Sequence, residues 1–156
     1  EHVSCTNNAD EALLNADFIV HTIPVQSTTE YLKRLKDKIP KTLPIISASK
    51  GIHSTTLKYM NDIVPEALQN PEQPFAVLSG PTFAKELVEN QPSAAVVASF
   101  DEELRLAVQH LFHHRYFRVY TSPDLIAVEV GGALKNVYAI AAGISDGLGF
   151  GLNTIA

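Results

Sequence analysis

The sequence predicts an α/β protein with a mostly parallel sheet covered by helices on its faces, followed by the start of an all-helical unit. Three observations predict it. Short apolar runs alternate with helix-like stretches up to residue 121. Those runs are almost uninterrupted in apolar residues, as strands buried on both faces require. From Ser122-Pro123-Asp124 onward the strand pattern stops, and one long helical pattern continues to about Asp146. The change places an expected boundary near residue 122, between a unit at 1–121 and a second unit at 122–156.

Taken in order, residues 17–23 read as a buried strand and 25–38 as a helix with Leu32 and Leu35 turned inward. Residues 43–49 form a second strand, ended by Gly51. Residues 54–68 are expected as a helix with Ser54 as its N-cap. Strand 75–79 is stopped by Gly80-Pro81, and a short helix is expected over 82–89. Residues 94–99, 101–113 and 117–121 read as strand, helix and strand. Pro123 suits the first position of the last helix. That helix is apolar on nearly every side, which predicts a place in the middle of a second domain.

Bulk properties limit the function. The chain has 156 residues, enough for one domain with a real core, and its 46% hydrophobic and 19% charged content is that of an ordinary globular protein. A net charge of −5 gives no support for nucleic-acid or membrane-surface binding. The single cysteine, Cys5, excludes a disulfide framework and fits an intracellular location. No metal site is expected. His110 and His114 would share a helix face, a zinc-like spacing that a solvated helix end also explains. The stretch 125–144 comes closest to a membrane span but is interrupted by Glu129, Lys135 and Asn136. The chain opens in the middle of a pattern and not on Met, so a piece of a longer protein is expected.

Four places could carry chemistry. Lys50-Gly51 follows a strand at the carboxyl edge of the sheet, where open α/β sheets bind ligands; an exposed lysine at a strand end is the alternative. Ser79-Gly80-Pro81-Thr82-Phe83-Ala84 reads as strand, turn and helix N-terminus, a natural anion site, although Thr82 could simply be an N-cap. Pro24-Val25-Gln26 lies at the same edge, where a turn opening a helix also accounts for it. Gly131-Gly132-Ala133-Leu134-Lys135-Asn136 is the most informative. Two glycines inside a helix cost about 1 kcal/mol each against alanine, so close packing or a ligand must compensate. Small residues flank Lys135 on its own face, leaving room beside an ammonium on an apolar helix. A desolvated ammonium, or one beside a second cation, gives up its proton more readily. The alternative is a lysine that snorkels to water.

With these stretches in series, the sequence resembles the NAD(P)-dependent glycerol-3-phosphate dehydrogenases. The resemblance runs in order through Ile23-Pro24-Val25-Gln26, Ser49-Lys50-Gly51-Ile52, Leu78-Ser79-Gly80-Pro81-Thr82-Phe83-Ala84-Lys85-Glu86 and Phe117-Arg118-Val119-Tyr120-Thr121-Ser122. It closes on Glu129-Val130-Gly131-Gly132-Ala133-Leu134-Lys135-Asn136-Val137 and Ala141-Ala142-Gly143-Ile144-Ser145-Asp146-Gly147-Leu148-Gly149. It implies a Rossmann-like dinucleotide-binding domain over 1–121, lacking its glycine-rich unit, and the first helix of a helical substrate domain over 122–156. It implies hydride exchange between a nicotinamide cofactor, NAD or NADP, and a small phosphorylated substrate, dihydroxyacetone phosphate or sn-glycerol 3-phosphate. Lys135 would be the acid–base lysine and Lys50 a second active-site lysine touching substrate and nicotinamide. Gly80, Thr82 and Asn136 would face substrate, while Pro24, Gln26 and Ala84 would face cofactor. A homodimer in the cytoplasm or a plastid or organelle stroma is implied for the full-length protein, with no nucleic-acid or membrane partner; this stretch alone is expected to be inactive. The rival readings are a 6-phosphogluconate-type or ketopantoate-type reductase, and a non-catalytic homologue that acts as a binding module.

Overall fold

The computed structural model describes residues 2–155. The elements are α1 (Ala9–Leu13), β1 (Ile19–His21), α2 (Val25–Leu35), β2 (Ile45–Ser47), α3 (Met60–Leu68), β3 (Phe75–Ser79), α4 (Ala84–Val88), β4 (Ser93–Ala98), α5 (Glu102–Phe112), β5 (Phe117–Ser122), α6 (Leu125–Gly147) and α7 (Leu152–Ile155). The five strands form one sheet in the order β1-β2-β3-β4-β5. All neighbours are parallel except β3 and β4, which pair antiparallel with Ser79 opposite Val96. The expected mostly parallel sheet is therefore present, with one reversed pair.

Alternation along the strands feeds two cores, because successive side chains point to opposite faces. Ile45 and Val77 join Val25 and Leu32 of α2, Met60, Ile63 and Val64 of α3, and Leu125 of α6 on one face. Ile46 and Ala76, one residue along, join Val97, Val119 and Leu104 and Val108 of α5 on the other. Both faces are covered, which is why the strands read as continuous apolar runs. The free side of β5 is occupied by α5: Val119 N–H donates to His113 Nδ1 at 3.3 Å, and its carbonyl accepts from Gln109 Nε2 at 2.8 Å.

Several boundaries differ from the sequence expectations. α3 begins at Met60 and not at Ser54, because the Ser54 N–H and hydroxyl are both donated to Gln26 Oε1. α6 is capped by Asp124, which accepts from Ala127 N–H at 2.9 Å; Pro123 precedes the cap. α5 stops at Phe112, so His114 lies beyond the helix and shares no face with His110. Among the described residues, no cluster of three or more His, Cys, Asp or Glu could hold a metal.

α6 also departs from expectation. Its first turns pack on β3 and β4, with Leu125 and Glu129 buried, but Val137, Tyr138, Ile140 and Ile144 are exposed. By length and composition alone this 23-residue helix could cross a bilayer. Its N-terminal half instead lies on the sheet, and its apolar far half is largely exposed, with the short α7 against it.

Candidate active site

α6 and the carboxyl edge of the sheet enclose a cleft of about 570 Å³. Lys50 enters it from the loop after β2 and Lys135 from α6. Gly80, Thr82 and Gly131 line it as well, and Pro81, Phe83, Val96 and Val128 supply apolar wall.

Backbone packing explains much of this geometry. A Cβ on Gly80 would stand 2.5 Å from the Ala94 carbonyl oxygen and 2.8 Å from Ala95 Cα, so only glycine lets β4 pass there. The Gly80 carbonyl accepts from Lys50 Nζ at 2.7 Å. On the helical wall the two adjacent glycines do different things. A Cβ at Gly132 would lie 3.0 Å from Ser79 Oγ and 3.6 Å from Lys50 Cγ, so α6 rests directly on β3 and on the stem of Lys50. A Cβ at Gly131 would meet nothing within 4 Å. Close packing thus accounts for Gly132, while Gly131 keeps the cleft open.

The two amines are not equivalent. Lys50 is half-buried, and its pKa is held below the ordinary lysine range, first by burial and second by the charge of Lys135. Lys135 is exposed, and its Nζ donates to Asn136 Oδ1 at 3.2 Å. Of the alternatives left open for Lys135, exposure is the one found, and the desolvated lysine of the pair is Lys50. The reason is packing: Lys50 lies beneath α6, whereas α6 itself is covered on one side only.

Of the other expected residues, Thr82 is in the cleft, while Pro24, Gln26, Ala84 and Asn136 do not line it. Thr82 lines it, but the N-cap position of α4 belongs to Phe83 and no side chain caps that helix. Ala84 opens α4 and is exposed. Pro24 is the N-cap residue of α2. Gln26 is engaged by protein: its Nε2 donates to the Ile52 carbonyl at 2.9 Å and its Oε1 receives Ser54, which ties the loop after Lys50 to α2.

Three polar residues near the site were given no role of their own from sequence. Ser79 touches α6 at Gly132 and lines the cleft. His21 is buried at the end of β1, with Nδ1 3.2 Å from Ser49 Oγ and Nε2 3.4 Å from Thr28 Oγ1. Ser49 in turn donates to the Ile23 carbonyl at 2.6 Å, so the trio ties β1 to the residue just before Lys50. Burial lowers the His21 pKa, which favours the neutral ring. Glu129 is buried on α6, one turn before Gly132. A histidine within an apolar strand run and a lone acid within an apolar helix were the visible signals for the last two.

One amine at the carboxyl end of a strand faces a second on the helix that follows the sheet, across a cleft at the edge where open α/β sheets hold ligands. Comparison with known proteins gives the class. The model for the NAD-dependent glycerol-3-phosphate dehydrogenase N-terminus matches residues 1–105, and that for the C-terminus of the same family matches residues 124–156. The chain belongs to this family. It is 51% identical over its whole length to the chloroplastic glycerol-3-phosphate dehydrogenase [NAD(+)] 2 of Arabidopsis thaliana, and 46% identical to the glycerol-3-phosphate dehydrogenase [NAD(P)+] of Fusobacterium nucleatum. It spans 37% and 47% of those proteins' lengths. Among solved structures, the glycerol-3-phosphate dehydrogenase of Plasmodium falciparum superimposes with a TM-score of 0.84 at 26% identity, over 96% of this chain and 42% of that one.

Proposed function

We propose that the complete protein containing this chain is an NAD- or NADP-dependent enzyme interconverting dihydroxyacetone phosphate and sn-glycerol 3-phosphate. The observation that carries the reading is the convergence of Lys50 and Lys135 on one cleft, in a chain of this family. Reducing a ketone builds negative charge on its oxygen, and a positioned ammonium both stabilises that charge and supplies the proton. Lys135 is the proton donor in that direction and takes the proton back in the reverse one; it is the exposed amine, free to reach a ligand. Lys50 is held by the Gly80 carbonyl and acts as a fixed cation toward substrate and the nicotinamide end of the cofactor. Gly80, Thr82 and Asn136 belong to the substrate side.

The residues present fit the nicotinamide end of such a cofactor. The cleft volume is that of a small-molecule site, and Pro81, Phe83, Val96 and Val128 offer an apolar wall for a flat ring. When bound, the cofactor supplies or accepts the hydride at C2 of the substrate. Ala84, Pro24 and Gln26 sit along the carboxyl edge and would meet its remaining length. Residues 1–121 form part of the dinucleotide-binding domain and 122–156 begin the helical substrate domain, a division supported by the change from alternating elements to α6. The intact enzyme is a homodimer of the cytoplasm or a plastid or organelle stroma.

The test is Lys135→Ala in the complete enzyme. Turnover of dihydroxyacetone phosphate should fall by about 10²–10⁴-fold, the scale of a lost general acid, with nucleotide affinity nearly unchanged. A variant that keeps its rate overturns the assignment.

A further inference from the structure

Glu129 is the one acidic side chain on an otherwise apolar face of α6, and it is 7% exposed. Its Oε1 accepts the backbone N–H of Asn61 at 3.2 Å, and the neighbouring Met60 N–H also faces the carboxyl and favours its charge. Those are the first two residues of α3, whose N-cap residue Tyr59 offers no side-chain acceptor. A carboxyl from another helix therefore caps α3 and ties it to α6. The second oxygen, Oε2, is buried without a partner, and so is Asn61 Oδ1. A buried acceptor without a partner is costly, and a proton on the carboxyl would turn Glu129 Oε2 into a donor. Glu129 also lines a small cavity of about 10 Å³ together with Lys50, Ser49, Ser79 and Gly132.

We propose that Glu129 is a protonation-dependent staple that positions α6, and with it Lys135, over Lys50. With the carboxyl neutral, the seam through Gly132, Ser79 and the Lys50 stem is closed; ionisation loosens it. Burial pushes the Glu129 pKa up to about 7, opposed by the two N–H groups and aided by the Asp62 charge. The charged groups facing it are Asp62 from α3 and Lys50 across the small cavity; β3 presents only Val77 and Ser79 there. A carboxyl whose folded pKa is raised binds more protons folded than unfolded, so opening becomes easier as pH climbs from about 4.5 to about 7 and then levels.

The staple does not depend on the dehydrogenase reading, but its consequence for the two amines does. The experiment is hydrogen exchange of the amides of residues 127–133 and 60–64 in the complete protein at pH 5 to 8, corrected for intrinsic rates. It is run on the wild type and on Glu129→Gln, which keeps an acceptor and cannot ionise. The wild type should lose up to about a hundredfold in protection across the interval, because the buried carboxyl holds a proton that it gives up on opening, and Glu129→Gln should show a flat profile. Flat wild-type protection overturns the proposal even if the variant fails to fold, as does a Gln variant with the same slope. The kcat/KM profile for dihydroxyacetone phosphate is measured alongside. A sloping exchange profile without turnover sinks the substrate assignment and leaves the staple; turnover with flat exchange sinks the staple alone.

Discussion

Alanine at each of the two adjacent glycines of α6 should have different effects on stability, and the contrast tests the account of the cleft. Alanine exceeds glycine in a helix interior by about 1 kcal/mol. At Gly131 the new methyl meets nothing within 4 Å, so the gain should appear in full and raise the melting temperature by about 2–4 °C. The same methyl projects into the cleft shared by Lys50 and Lys135. We expect kcat/KM for dihydroxyacetone phosphate to fall at least about tenfold, equivalent to roughly 1.4 kcal/mol of transition-state stabilisation. At Gly132 the methyl lies 3.0 Å from Ser79 Oγ and 3.6 Å from Lys50 Cγ. The serine hydroxyl must yield by a few tenths of an ångström, the helix gain is offset, and the Lys50 stem is pressed. The assays are thermal unfolding and nicotinamide absorbance on the complete enzyme. A Gly131→Ala protein that is stabilised yet turns over at the wild-type rate would falsify the claim that this position borders bound substrate. One that is destabilised would refute the open space itself.

Two further outcomes follow from the same geometry. Gly80→Ala puts a carbon 2.5 Å from a strand carbonyl that cannot swing aside, so β4 must move; we expect a loss of about 3 kcal/mol by denaturant titration, with the Lys50 anchor misplaced. Lys50 has its folded pKa below that of the unfolded chain, so the unfolded state binds more protons in the window just under pH 10.5 and stability rises with pH there. Lys50→Met should flatten that rise, which pH-resolved unfolding midpoints would reveal; an unchanged slope would mean that burial does not disfavour the ammonium.

The sheet was legible because strands covered on both faces must be almost wholly apolar, as Ile45-Ile46 and Phe75-Ala76-Val77-Leu78 are. Strand direction was not, since a pattern of side chains carries no polarity: nothing in 93–98 announces that β4 runs against β3. Ser54 read as a helix cap because its residue type suits one, yet its hydroxyl is taken by Gln26, 28 positions away in sequence, and α3 starts only at Met60. In the site, the cost of two helical glycines was visible from their type, but which of them meets a neighbour depends on where β3 lies. The burial of Lys50 and the cap that Glu129 provides to α3 are likewise made by contacts distant in sequence.

The two amines are held by different machinery, and this decides where the site is vulnerable. Lys50 is bound to the carbonyl of Gly80, which the crossing β4 backbone holds at the end of a central strand, so its position belongs to the sheet. Lys135 belongs to α6, which is anchored by Leu125, Glu129 and Gly132 and then runs on largely exposed, away from the sheet. Their separation is therefore set at the seam between helix and sheet. Proton delivery depends steeply on distance and alignment, so a displacement of about 1 Å can cost a hundredfold in rate. Substitutions at Ser79, Glu129 or Gly132 should thus impair chemistry while leaving both amines in place, and the rate should track the packing of that seam more closely than the global stability of the fold.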